Sequence, residues 1–364
     1  MATIFDYLKW RGDLSFSDVR LCEVDAVIFA MLTYIDYGEL CAGRELLLCE
    51  AAEDYCKDGK YGEVDLGLIM PSKQINKMFC LAAKTRRFGG IRITDFIEDT
   101  RKDDDCQFSA VTFHLPARQM VIAFRGTDDT IVGWKEDFCL SFLDEIPAQR
   151  LAVEYLEAMA KKYPDERILL TGHSKGGNLA AYSAVKCSPE TKKRISRAYC
   201  NDGPGLSSET VSSPEFKQIQ RKLSVILPQS SYIGVLFEKG TKFHVINCRG
   251  KGVFQHDPYY WELDGPNFIK LTELSKQGKR NEEQFRRGMS RMTIEEKKEF
   301  VETFFSLVES TGATTLSEFA EGGPKRLITL IRGYSGLDKP KRELMLSLLR
   351  RLLDRKKDNE PQKK

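Results

Sequence analysis

Chemistry is concentrated around one serine. Thr171-Gly172-His173-Ser174-Lys175-Gly176-Gly177 follows the apolar run Ile168-Leu169-Leu170 and precedes the helix-compatible stretch Asn178-Leu179-Ala180-Ala181-Tyr182. A Gly-x-Ser-x-Gly turn between a strand and a helix pushes the serine hydroxyl out of a strained corner with little side-chain bulk around it. Glycine is required on both sides because the turn needs unusual backbone angles and the helix passes close to neighbouring strands. Ser174 is therefore the expected nucleophile. The competing reading is an ordinary Ser-Gly turn, since these letters are common; the order of apolar run, glycines and helix favours the elbow. His173 diverges from Ser174 on so tight a turn and is expected to pack beside it.

The elements that must position this turn follow from periodicity. From Phe16 to about Phe88 the pattern is mainly helical, with Ser17 or Asp18 able to cap a helix carrying Val24, Val27, Ile28, Met31 and Leu32, and a second apolar segment around Leu46 to Leu48. Strands begin later. Phe108 to Leu115 and Met120 to Phe124 read as two strands joined by a short turn, and a polar helix follows from about Ala148 to Tyr163. After the elbow come Ile195 to Cys200, Leu223 to Leu227 and Lys242 to Cys248, each an apolar run near a helical segment. Alternating strands and helices predict an α/β fold whose sheet is mostly parallel with helices on both faces.

Beyond Asp264 the chain turns to helix formers and charge. Thr293 and Glu296 form a Thr-x-x-Glu capping box ahead of Phe300, Phe304 and Leu307 at helical spacing. A final basic segment carries Leu344, Leu348, Leu349, Leu352 and Leu353 with Arg350, Arg351, Arg355, Lys356 and Lys357. Two readings stay open for it: leucines laid on the body with arginines in water, or weak contact with a membrane surface. Three parts are expected: 1–107, mainly helical; 108–263, the sheet-bearing core; and 264–364, a helical extension. Residues 358–364 read as a frayed tail.

Composition narrows the function. At 364 residues and 41% hydrophobic content the chain can bury a full core, and a net charge of +3 demands no polyanionic partner, so nucleic acid is disfavoured. No stretch reaches the roughly 18 uninterrupted apolar residues of a membrane span, and the first ten residues lack a secretory pattern. The expectation is a soluble, cytoplasmic protein. Ten cysteines without a Cys-x-x-Cys pair favour free thiols over disulfides or a zinc site.

Two segments together carry a resemblance. Val121-Ile122-Ala123-Phe124-Arg125-Gly126-Thr127-Asp128, followed by Gly133-Trp134-Lys135-Glu136-Asp137, resembles the oxyanion segment of class 3 (fungal-type) lipases, and Gly172-His173-Ser174-Lys175-Gly176 resembles their elbow. From about Phe108 to Leu263 the chain is similar to that branch of the α/β-hydrolase fold, most closely to its bacterial lipase-like members. The resemblance implies an oxyanion hole built from Thr127, by amide and hydroxyl, and the Lys175 amide. It also implies an Arg125–Asp137 ion pair fixing the oxyanion loop over Trp134.

A serine hydroxyl needs a base, and imidazole titrates nearest neutrality. Of four histidines, His173 is excluded by the turn, while His114 and His244 lie inside strand runs. His256 sits in the loop after the last strand, where this fold holds its base, and is assigned that role. The acid departs from the family pattern, because Leu227-Pro228-Gln229-Ser230-Ser231-Tyr232 has no carboxylate. Asp202, at the end of the preceding strand, is the favoured acid; alternatively it only caps the Gly203-Pro204-Gly205 turn. Asp257 is a weaker substitute, since a residue adjacent to the imidazole seldom reaches round to it.

The expected activity is hydrolysis of carboxylic, lipid-like acyl esters through a Ser174–His256–Asp202 triad and an acyl-enzyme, with no metal or organic cofactor required. Lys175 at the mouth of the site is a candidate for an anionic headgroup, or else a solvated side chain. Helices before Phe88 or after Asp264 are available to roof the site. The alternative function is a non-catalytic binding or regulatory module on a hydrolase scaffold.

Overall fold

A computed structural model describes residues 1–41, 44–57, 72–290, 292–321 and 323–353. Its centre is a nine-stranded sheet. In chain order the first eight strands are β1 (Leu46–Leu47), β2 (Arg92–Arg101), β3 (Cys106–Leu115), β4 (Gln119–Phe124), β5 (Arg167–His173), β6 (Ile195–Asn201), β7 (Leu223–Pro228) and β8 (Phe243–Ile246), and they lie side by side in that order, with Lys270–Leu271 closing the far edge. Strands β4 to β8 are mutually parallel, while β1 to β4 and the closing strand pair antiparallel.

Because the parallel strands advance in one direction, right-handed crossovers must place their connecting helices on one face. Helices Pro147–Lys162 and Lys175–Lys186 pack there, through Leu156, Leu179 and Ala180, on Met120, Ile122, Phe124, Ile168 and Leu170. The alternate residues Val121, Ala123 and Leu169 face the opposite core, the period-2 pattern of a strand buried on both sides. The N-terminal helices fill that second face. Glu23–Leu32 is buried from Val24 to Leu32, so it sits as a central rod beneath the sheet.

That helix starts later than its polar neighbours suggest. Neither Ser17 nor Asp18 caps it; Ser15 and Asp18 close a separate turn, and the Cys22 amide donates to Asp25 Oδ2 at 2.8 Å. Asp25 is wholly buried and also accepts from Tyr7 Oη at 2.8 Å and Arg87 Nη2 at 2.6 Å, while Arg87 Nη1 reaches the carbonyls of Leu14 and Val19. A buried ion pair set by Arg87, 62 residues away, fixes the helix entry, and no local pattern carries that information.

Strands also begin earlier than Phe108. β1 lies inside the stretch read as helical, and β2 carries Arg92, Asp95, Glu98, Asp99 and Arg101, a charge pattern that resembles a loop. It forms a strand because it pairs with the fully buried β3, with its outer half in solvent.

After Asp264 the chain is mainly helical. Thr293 caps Ile294–Glu309 with the expected box, and Phe300, Phe305 and Leu307 join the core on the connecting-helix side. Leu344 and Met345 of the last helix, Lys339–Leu353, pack on that same core. Arg355, Lys356, Lys357 and the 358–364 tail lie outside the described residues. Among the described residues no helix is long and apolar enough to cross a membrane.

Candidate active site

Strand β5 ends at His173 and the next helix starts at Lys175, so Ser174 alone makes the turn, with φ 56° and ψ −133°. Such a backbone is strained for a residue with a side chain. It persists because the chain on either side is locked: a Cβ on Gly172 would stand 2.1 Å from the Gly176 carbonyl carbon, and one on Gly176 would stand 2.2 Å from the Phe124 carbonyl oxygen. Only hydrogen fits at both places. The helix can therefore start against the strand ends, and Ser174 is left half-buried on a cavity wall.

His256 and Asp202 meet across 54 residues. His256 Nδ1 lies 2.7 Å from Asp202 Oδ2, which leaves Nε2 as the basic nitrogen. Asp202 is fully buried at the end of β6 with φ 48°, and its other oxygen accepts from Ser231 Oγ at 2.5 Å and the Gly234 amide at 3.1 Å. Its side chain thus faces the imidazole and the segment after β7. The segment that lacks a carboxylate supplies the donors that hold one.

His173 supports the imidazole from behind. Its ring centroid is 4.4 Å from that of His256, and its Nε2 donates to the His256 carbonyl at 2.8 Å. Burial, with the nearby His256 charge, holds its pKa well below the usual value. A neutral ring can stack on an imidazolium without repelling it. The expectation that His173 packs beside the elbow matches this placement.

The oxyanion loop is held differently from expectation. Arg125 does not pair with Asp137; its Nη2 lies 2.5 Å from Glu98 Oε1 on β2 and 3.7 Å from Asp128. Asp137 instead accepts the Thr127 hydroxyl at 2.5 Å, and burial pushes its carboxyl up to about 6. The Thr127 hydroxyl hydrogen is spent there, so Thr127 offers only its amide. Trp134 lines the cavity wall. Neither the Thr127 nor the Lys175 amide has a backbone acceptor among the described residues.

Lys175 is not at a mouth. Its ammonium is fully buried and donates to Gln107 O at 2.8 Å, Gln107 Oε1 at 2.6 Å and Glu136 Oε2 at 2.8 Å. Burial alone would depress its pKa, but Glu136 and Asp137 outweigh that and hold the ammonium above its usual value. Glu136 in turn accepts from the Gln107 and Ala148 amides. The pair ties the elbow helix to β3 and to the start of Pro147–Lys162.

Ser174, His256 and Thr127 all line one cavity of about 350 Å³, with Phe138, Leu140, Leu236 and Phe300 among its apolar walls. Phe285 and Phe300 place the covering helices after Asp264. One polar residue here has no sequence signal. Tyr34, beyond the central helix, is buried in the cavity wall, and its hydroxyl has no acceptor among the described residues. A Cβ on Gly126 would lie 2.4 Å from that oxygen and 3.1 Å from Ser174 Cβ, so the phenol sits beside both Ser174 and the loop that carries Thr127. Its apolar neighbours Met31, Leu32 and Ile35 make it read as one more core residue.

A sheet whose strands β4 to β8 are parallel with their connecting helices on one face, a strained serine at the strand-to-helix turn, and a buried imidazole–carboxylate pair beyond later strands define an α/β-hydrolase fold of lipase-like type. The chain belongs to the Mbeg1-like family, whose model matches residues 82–306. None of the curated proteins matches it. Solved structures similar to it include a mutant form of MDLA from Penicillium cyclopium (14% identity, 66% of this chain and 84% of that one, TM-score 0.38). Others are Lip2 lipase from Yarrowia lipolytica (15%, 63% and 80%, TM-score 0.35) and a fungal lipase (11%, 75% and 95%, TM-score 0.41).

Asp257 does not reach its neighbour's ring. Its Oδ1 accepts from the Tyr259 amide at 2.9 Å, its Oδ2 is buried without a partner among the described residues, and burial pushes its carboxyl up to about 7 against the lowering by that amide and His256. A carboxyl raised by folding favours the native state while protonated. That contribution is complete below about pH 4, the unfolded value, and is lost as pH rises through about 7. Asp257→Asn should therefore flatten the fall in Tm between those limits; parallel profiles for the two proteins would refute the assignment.

Proposed function

We propose that this chain is a serine hydrolase that cleaves carboxylic esters of lipid-like acyl chains through an acyl-enzyme. The observation that carries the reading is the 2.7 Å His256–Asp202 bond beside the cavity that Ser174 lines. Family membership and the apolar cavity support an acyl substrate. His256 Nε2 takes the Ser174 proton as the oxygen attacks the ester carbonyl, and Asp202 holds the tautomer and stabilises the imidazolium. Neutral His173 adds no opposing charge.

As the carbonyl oxygen gains charge, the Thr127 and Lys175 amides receive it. Tyr34 Oη adds a third donor in place of the Thr127 hydroxyl, which Asp137 has taken. Its pKa is raised by burial, so it stays a phenol and keeps its hydrogen. The imidazolium then protonates the leaving alcohol. Water, activated by the same nitrogen, releases the acid and restores Ser174.

Ser174→Ala should abolish both fluorophosphonate labelling and turnover of p-nitrophenyl esters; labelling or turnover that survives the change would sink the mechanism. Asp202→Asn should leave the protein folded and lower kcat by about 10⁴-fold, whereas near-normal kcat would move the acid elsewhere. Tyr34→Phe should lower kcat by about 10²-fold with little change in KM, as for loss of one oxyanion donor. A change confined to KM would make Tyr34 a wall residue only.

A further inference from the structure

The cavity wall holds a second lysine, and this one is not neutralised. Lys297, on Ile294–Glu309, lines the same cavity as Ser174 and His256. It is half-buried, and among the described residues its ammonium makes one hydrogen bond, 3.3 Å to the Ser141 carbonyl. No carboxylate comes within ion-pair reach of it among the described residues. Of the acids that share the wall, Asp137 holds the Thr127 hydroxyl through one oxygen while its other is buried without a partner among the described residues, and Asp128 accepts from Thr130 and lies 3.7 Å from Arg125. The next residue, Lys298, faces Glu302 along the helix surface. Burial lowers the Lys297 pKa, and no acid opposes it.

A lysine whose only task is to cover apolar surface keeps its head in water. Lys297, half-buried, reaches to the Ser141 carbonyl in a cavity that Phe138, Leu140, Phe300 and Val301 also line. An ammonium that has lost part of its hydration there gains from an anion, whose oxygen makes a charge-assisted bond stronger than one to a carbonyl. Lys175 cannot serve, because its three donors are taken by Gln107 and Glu136.

We propose that Lys297 is the anion-binding residue of the substrate site, so that the ester cleaved carries a phosphate headgroup as well as its acyl chain. The proposal rests on the hydrolase reading for the word substrate, but the anion site itself is measurable without turnover. The acyl chain occupies the apolar wall, and the phosphate oxygen accepts from the ammonium.

The test uses full-length Ser174→Ala protein and three probes in calorimetric titration: decyl phosphate, decanol and inorganic phosphate. Decyl phosphate should bind at least about tenfold more tightly than decanol, the worth of one charge-assisted hydrogen bond. Lys297→Met should erase that ratio, and Lys297→Arg should keep it. Equal binding of the two probes, or a ratio that survives Lys297→Met, overturns the proposal. Inorganic phosphate binding as tightly as decyl phosphate would identify a free-anion site and overturn the headgroup assignment. In the wild-type protein, a lysophosphatidate should show lower KM than the monoacylglycerol of equal chain length. If neither ester is cleaved while the calorimetric ratio stands, the hydrolase reading fails and the anion site remains. If the neutral ester is cleaved and the ratio is absent, the reverse holds.

Discussion

The approach of backbone to backbone at the Ser174 turn governs the rest of the molecule. Gly172 and Gly176 meet the Gly176 and Phe124 backbones at distances that leave no room for a methyl group. That closeness brings the start of the following helix against the ends of β4 and β5. It leaves the Lys175 amide without a helical acceptor, because the first amides of a helix have none, and it sets Ser174 at a positive φ. The strain is held in place by packing, since Leu179 and Ala180 bury the helix on the sheet.

Charge in this region is sorted by depth. Lys175, Glu136 and Gln107 form a buried network beneath the elbow in which all three lysine donors are taken, and breaking one partner of such a pair strands the other in a low-dielectric interior. Asp137 sits beside it with a raised pKa and one hydroxyl donor, so the loop that carries Thr127 is fixed by a hydrogen bond where an arginine pair was expected. Nearer the cavity, His256 and Asp202 share a bond screened from water, with neutral His173 tilted against the imidazole from behind. Lys297 differs from all of these in lining the cavity with no acid against it among the described residues.

Most of the sheet was legible because its strands are apolar runs at the required spacing, bounded by turn residues. β2 was not, since half of it faces water and its charges mimic a loop; pairing with β3 decides its state. The central helix was visible, but not its start, which a distant arginine fixes. At the site, Ser174 was legible from glycine spacing, a local constraint. In the sequence Asp202 fits both an acid and a turn cap, and its bonds to His256 and to the Ser231–Gly234 turn come from two distant segments. Tyr34 carried no signal, because a phenol in an apolar helix end looks like core.

By itself the amino-acid sequence determined what depends on near neighbours: alternation within strands, the Thr293 cap, and glycines where the elbow admits no side chain. Packing in three dimensions sets which donors and acceptors face each other, which lysine is neutralised, which carboxylate takes the Thr127 hydroxyl, and which helices cover the cavity. Hydrogen bonds and ion pairs at these distances depend on positions accurate to a fraction of an ångström. Residues tens of positions apart acquire such positions only when the sheet and its two cores are packed.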